Sequence, residues 1–235
     1  MTAARVPGAS SAEGQPQDRA ARRRAKARES LLAAAEEAFG RTSYRDVRIE
    51  DLAAAADVAV GSVYDYFGSK DGLYLTLVER AAVQLRTYMQ QAYDATLSPF
   101  ERVMAAGELY LRFHLEHPGS FQLLVSDAAV GGPSPLTEQL RENIGSQMDQ
   151  LVAEFQSHIE SAIAAGEMPA DLDAFLAARF LWGAWNGVVS LGLRGDRMRL
   201  TDDEITACLR QGNRIVRGGL SAVEHRTRGG RARPS

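Results

Sequence analysis

A single cysteine, Cys208, occurs in the 235 residues. It permits neither an internal disulfide nor a thiolate metal cluster, which fits a reducing compartment. The four histidines, His114, His117, His158 and His225, stand far apart, with no HExxH or EF-hand setting around them. A glycine-rich phosphate loop is missing, and so is a serine or cysteine in a nucleophile-elbow context. These gaps argue against an enzyme, a bound metal and a cofactor.

Long apolar runs are missing too. The longest, Phe180 to Leu193, is interrupted by Gly183, Asn186, Ser190 and Gly192, so neither a spanning helix nor a membrane partner is expected. The amino end lacks the apolar core of a secretion signal, and a cytoplasmic location is expected. Nor does positive charge dominate. The formal net charge is -3, so affinity for a polyanion must come from a local patch. One patch qualifies: Arg19, Arg22, Arg23, Arg24, Lys26 and Arg28 follow one another without an acid between them.

What the chain has in abundance is helical period. Residues 1–18 hold almost no large apolar side chain and read as a disordered arm, and 222–235 as a basic disordered tail. Between them the pattern predicts an all-α fold of nine helices, at about 20–40, 48–55, 60–66, 70–94, 99–115, 118–126, 135–165, 171–193 and 201–220. Their starts are signposted. "SPFE" at Ser98 and "TDDE" at Thr201 supply capping boxes, the second with Leu200 and Ile205 as a hydrophobic staple. Ser134, Asp171 and Ser69 are further candidate caps.

The first helix buries a stripe of Leu31, Ala35, Ala38 and Phe39, and the second offers Ile49, Leu52, Ala53 and Ala56 on one side. Asp57 stands where the chain must reverse, a place for a left-handed residue. In the third helix Val63 and Phe67 share a face, while Gly61, Ser62 and Asp65 point away and Tyr64 and Tyr66 flank. Two short helices joined by a tight turn, the second with a small, polar and aromatic outer face, make a helix-turn-helix hypothesis, beside which stands the plainer reading of a three-helix unit with a basic first helix that touches no nucleic acid. Gly61 costs a helix about 1 kcal/mol against alanine, which suggests that something approaches the backbone there.

The segment from Ala27 to Glu79, with its Leu31 to Phe39 stripe, Tyr44, "IEDLAAAA" and above all "GSVYDYFGSKDGL", resembles the N-terminal domain of the TetR family of bacterial transcriptional regulators. The resemblance implies a DNA-binding domain at 19–69 and a divergent helical domain at 70–221 that binds a small-molecule effector and dimerises. It implies a homodimer on a double-stranded DNA operator, its third helices in successive major grooves about 34 to 36 Å apart. Repression by default is what it implies, although the family also contains activators. Carried onto this chain, it sets Arg48, Tyr66 and Lys70 on phosphates, Ser62 and Tyr64 on backbone or base edge, and Gly61 as clearance.

This sequence departs from the family pattern at Asp57, where a glycine is usual, and at Ala59, where a capping hydroxyl worth about 1 kcal/mol is lost. It departs again at Val60 and Asp65. Val60 can meet a thymine methyl and Asp65 can accept from cytosine N4. Two other readings stay open: Val60 lies only about 40° from the buried axis, and Asp65 can be a solvated or Arg-paired carboxylate. Attraction to DNA then falls to Arg48, Lys70 and the arm of Arg22, Arg23, Arg24, Lys26 and Arg28, with a salt dependence set by the phosphates they touch.

For the effector, the family resemblance implies a cavity among helices four to eight. Tyr110, Phe113, His114, Phe121, Trp182, Trp185 and Asn186 are the candidates to line it, and they suit a hydrophobic or aromatic compound; the other reading is that the aromatic stripe is plain core and His114 a satisfied core or surface histidine. Helix eight is apolar around most of its circumference and must be buried. A seam formed by helices eight and nine of two copies meets that demand, so Trp182 or Trp185 could equally belong to the seam. The competing class is a non-catalytic helical interaction or membrane-surface protein, suggested by the basic first helix.

Overall fold

The computed structural model describes residues 14–125 and 134–220. The expected arm up to residue 13 and the expected tail from 222 lie outside the described residues. Among the described residues there are nine α-helices and no strand. Contacts divide the chain between Leu73 and Tyr74 into two units.

The first unit contains α1 (Gly14–Phe39), α2 (Ile49–Ala55), α3 (Val60–Phe67) and the start of α4 (Lys70–Met89). α1 begins at Gly14, so residues 14–18, expected in the arm, are helical; no proline or β-branched residue interrupts the Ala- and Arg-rich run from Asp18 to Arg28. Its stripe is buried as Leu31, Leu32, Ala35 and Phe39, and Val47, Leu52, Ala53, Val63 and Phe67 are buried in the same unit, where α1 packs on α2 and α2 on α3. Each such large apolar side chain contributes about 1.5–3 kcal/mol by leaving water. The chain turns between α2 and α3 through Asp57, whose φ of 54 is left-handed, and the Val58 amide donates back to the Ala53 carbonyl at 3.0 Å. α3 begins at Ala59 with no side-chain cap.

The second unit holds the rest of α4 with α5 (Pro99–Glu116), α6 (Pro118–Val125), α7 (Pro135–Ala164), α8 (Ala174–Ser190) and α9 (Asp202–Leu220). α5 packs against α6, α7 and α9, and α7 also covers α8. The Ser98 capping box forms as expected, and so does a reciprocal Ser134–Thr137 pair. Thr201 and Glu204 exchange the same two bonds. Ser69 accepts from the Gly72 amide at 3.0 Å. Between α7 and α8, Gly166 takes φ +71 and Glu167 reaches back to α5, accepting from Ser98 Oγ at 3.0 Å and the Phe100 amide at 2.8 Å.

One cap is displaced. Asp171 does not start α8; Asp173 does, accepting from the Leu176 amide at 3.0 Å. The reason is a turn in which the Leu172 amide donates to the Pro169 carbonyl, leaving Asp173 as the extended residue before the helix. α4 and α8 are likewise shorter than expected, each closing in a 3-10 turn, at Gln90–Ala92 and Leu191–Leu193.

Gly107 sets how closely α9 approaches α5. A Cβ there would lie 2.7 Å from Asn213 Oδ1 and 3.0 Å from Trp185 Cζ2, and both side chains are buried. Gly107→Ala is expected to destabilise the protein by about 1–2 kcal/mol despite its better helix propensity. Urea denaturation of the two proteins side by side checks this; equal midpoints would mean that Asn213 and Trp185 give way freely.

Candidate DNA interface and effector core

α3 presents two chemically different faces because its length of eight residues and its turn entry leave it one buried edge. Val63 and Phe67 are sealed. On the other side Tyr64 is 51% and Val60 39% exposed, with Gly61 and Asp65 also exposed and Ser62 and Tyr66 half-buried. Of the two readings open for Val60, the structure places it at the surface and not in the core. A Cβ added at Gly61 would meet nothing within 4 Å, so no neighbour in the chain requires that glycine.

The cations are distributed around this unit. Arg48 is exposed at the start of α2 and lies 3.6 Å from the Glu50 carboxylate. Arg22, Arg23, Arg24 and Lys26 are exposed on α1. Arg28 differs from the rest of the basic arm: it is half-buried, with its guanidinium 5.2 Å from the centroid of the Phe67 ring. That stacking ties the end of the basic run to the reading helix. Lys70, at the first position of α4, rests its Nζ 4.4 Å from the Tyr44 ring centroid. Partial burial draws its pKa below the usual lysine range, against the opposing pull of Asp71 and Asp46.

In the second unit all seven residues expected to line an effector site converge. The Tyr110 ring lies edge-on to Phe121 at 5.2 Å and to Trp182 at 5.5 Å, and stacks on Trp185 at 5.4 Å. Phe121 joins Phe113 and His114. The Tyr110 hydroxyl donates to Asn186 Oδ1 at 3.0 Å, and the Asn186 amide donates to the Trp182 carbonyl. Burial pushes the Tyr110 hydroxyl pKa up. Desolvation lowers that of His114, with Asp202 opposing it. Both tryptophans therefore pack on Tyr110 of their own chain, Trp185 buried and Trp182 half-buried. Phe155, 5.3 Å from Trp185, belongs to the same cluster; it was not among the expected residues, and nothing in its local sequence sets it apart from the other apolar positions of α7.

The outer side of α8 is apolar and uncovered. Leu176 is 61% and Phe180 72% exposed, and Gly183, Ala184 and Gly187 lie exposed or half-buried along the same helix. On α9, Ile205 and Leu209 are core and Ile215 is 65% exposed. A helix apolar on every side has thus been covered on one side alone within this chain. The period of "FLAARFLWGAWNG" held the signal for Phe180, but a helix apolar around most of its circumference does not by itself show which side faces its own core.

Two family models match the chain: bacterial regulatory proteins of the tetR family at residues 31–77, and the tetracyclin repressor-like C-terminal domain at residues 103–214. The chain belongs to the TetR family of bacterial transcriptional regulators. It is a helix-turn-helix DNA-binding regulator of transcription, and the family is one of regulators, not enzymes. The alternative of a general interaction or membrane-surface protein falls with that assignment, and no helix of the described residues is long and apolar enough to cross a membrane. The HTH-type transcriptional repressor DhaR of Mycobacterium sp. strain GP1 is 27% identical over 163 residues, which span 69% of this chain and 80% of that protein. PfmR of Thermus thermophilus superposes with a TM-score of 0.65 at 18% identity, covering 80% of this chain and 97% of that one. FadR of Bacillus subtilis, solved in complex with stearoyl-CoA, gives 0.59 at 16% identity, covering 77% and 96%. TetR-family regulators bind DNA operators as dimers and respond to small-molecule effectors.

Gly61→Ala separates folding from reading. The open surroundings of Gly61 lead us to expect a helix stabilised by up to about 1 kcal/mol, together with DNA binding weakened by about 1–3 kcal/mol, the worth of one well-made base contact. Thermal melts and a gel-shift titration measure the two effects, and a variant that gains in both would show that no DNA atom lies near position 61.

Proposed function

We propose that this regulator is a cytoplasmic repressor that occupies a palindromic operator as a homodimer and is released by a small hydrophobic or aromatic effector. The observation that carries the DNA reading is the division of α3: Val63 and Phe67 are sealed while Val60, Gly61, Tyr64 and Asp65 are left outward. In this reading Ser62 and Tyr64 meet backbone or base edge, Val60 a thymine methyl and Asp65 a cytosine amino group. Arg48, Tyr66, Lys70 and the basic run Arg22, Arg23, Arg24, Lys26 and Arg28 engage phosphate. The DNA-binding domain is 19–69 and the effector and dimerisation domain 70–221, close to the division between Leu73 and Tyr74. Repression is supported by the naming of DhaR as a repressor.

The exposed apolar side of α8, with Ile215 of α9, is the surface assigned to the dimer. Small residues at 183, 184 and 187 allow two copies of the helix to approach closely, and two-fold symmetry makes the patch complementary to itself. The aromatic cluster around Tyr110 supports the effector assignment. An occupied site favours a spacing of the paired reading heads that no longer matches successive major grooves.

Selection of duplexes from a random pool, followed by footprinting, tests the operator: a palindrome is expected, and retention of no sequence above background at moderate salt would refute the reading. On the recovered duplex, Tyr64→Ala is expected to weaken binding by about 10- to 100-fold, the worth of one base contact, with the dimer intact by light scattering. Phe180→Glu is expected to do the reverse, giving a folded monomer whose operator affinity collapses; a dimer unchanged by this charge would move the seam elsewhere.

A further inference from the structure

Lys70 is held by more than the pull of the Asp71 and Asp46 carboxylates. It is the first residue of α4, at the positive end of a helix dipole that favours acids, and it is partly desolvated. Its hold is the face of the Tyr44 ring, 4.4 Å from Nζ to centroid. Tyr44 is in turn fixed twice. Its ring stacks on the buried Phe39 at 5.7 Å with an interplanar angle of 17°, and its hydroxyl donates a hydrogen bond to Asp71. That second contact spans 27 positions in the chain and uses the carboxylate next to Lys70, so the ammonium rests on the ring while the neighbouring acid is engaged by the phenol.

A lysine side chain carries rotamer entropy that a phosphate contact must overcome. A ring face that already orders the chain removes part of that cost, and a cation on a π face keeps its outer N–H donors for another acceptor. We propose that Tyr44, braced by Phe39 and Asp71, is a positioning residue for operator binding that holds the Lys70 ammonium ready for a DNA phosphate. Tyr44 itself touches no DNA in this scheme. The inference rests on the reading of Lys70 as a phosphate contact and adds the residues that place it.

The test is a mutant cycle on the duplex selected for the wild-type protein, with affinity measured by fluorescence anisotropy over a range of salt concentrations. Lys70→Gln reports on the underlying reading: it should weaken binding and lower the slope of log affinity against log salt by about 0.9 for each phosphate that the protein no longer neutralises. Tyr44→Met keeps the apolar packing but removes the π face, and should weaken binding by about two- to fivefold, in keeping with an exposed cation–π contact, with a lowered slope. Tyr44→Phe should retain most of both, because the ring remains. In the Lys70→Gln background Tyr44→Met should have no further effect. A Tyr44→Met loss that persists undiminished in that background, or an unchanged affinity and slope in a protein that Lys70→Gln does weaken, overturns the positioning role. An inert Lys70→Gln removes the phosphate reading and this inference with it. Should Tyr44→Met melt too low to measure, Asp71→Asn reads the brace instead: a weakening that vanishes in the Lys70→Gln background supports the role, and no weakening counts against it.

Discussion

The reading head depends on two side chains. Val63 and Phe67 are the part of α3 that leaves water, and their burial, with α3 packed on α2, is what turns the remaining residues of an eight-residue helix outward. A helix this short has little stability of its own, and it lacks a side-chain cap. Packing therefore supplies what propensity and capping supply elsewhere. The left-handed Asp57 fixes the entry of the helix, and the Arg28 guanidinium over Phe67 covers its buried end.

The second unit solves a different problem. Its helices are long and locally signposted, and α5 is central among them. The apolar residues of α8 exceed what one chain can cover. Trp185 and Val189 turn inward and are buried, whereas Leu176 and Phe180 turn outward. The inward half is organised around Tyr110, whose hydroxyl is satisfied by Asn186 in a setting where an unpaired donor would cost about 1–3 kcal/mol. Around this polar pair the cluster is predominantly apolar and aromatic.

Much of this was legible in the residues alone, for a physical reason. Helix starts are local: Ser98 with Glu101, Thr201 with Glu204 and Ser69 before Lys70 each announce a start within a single turn, and the structure shows each bond. Asp57 was likewise readable because a reversal between two apolar stripes leaves few backbone conformations. Asp171 misled because two aspartates compete at one helix entry and a turn at Pro169 decides between them. The spans of α4 and α8 overran because a 3-10 turn continues the helical period. In the site, the wheel separated Val63 and Phe67 from Gly61 and Asp65 but left Val60 near the boundary. The pairing of Tyr44 with Asp71 and the convergence of Tyr110 with Asn186 join residues far apart in the chain, which no local period encodes.

Ala59 and Gly61 together carry an evolutionary consequence. The former gives α3 no cap of its own, and the latter borders open space. Residues on the outward side thus contribute little to holding the domain together, and they can drift without unfolding it. A lineage could acquire a new target promoter by changing Val60, Ser62 or Asp65 while the scaffold beneath stayed as it is.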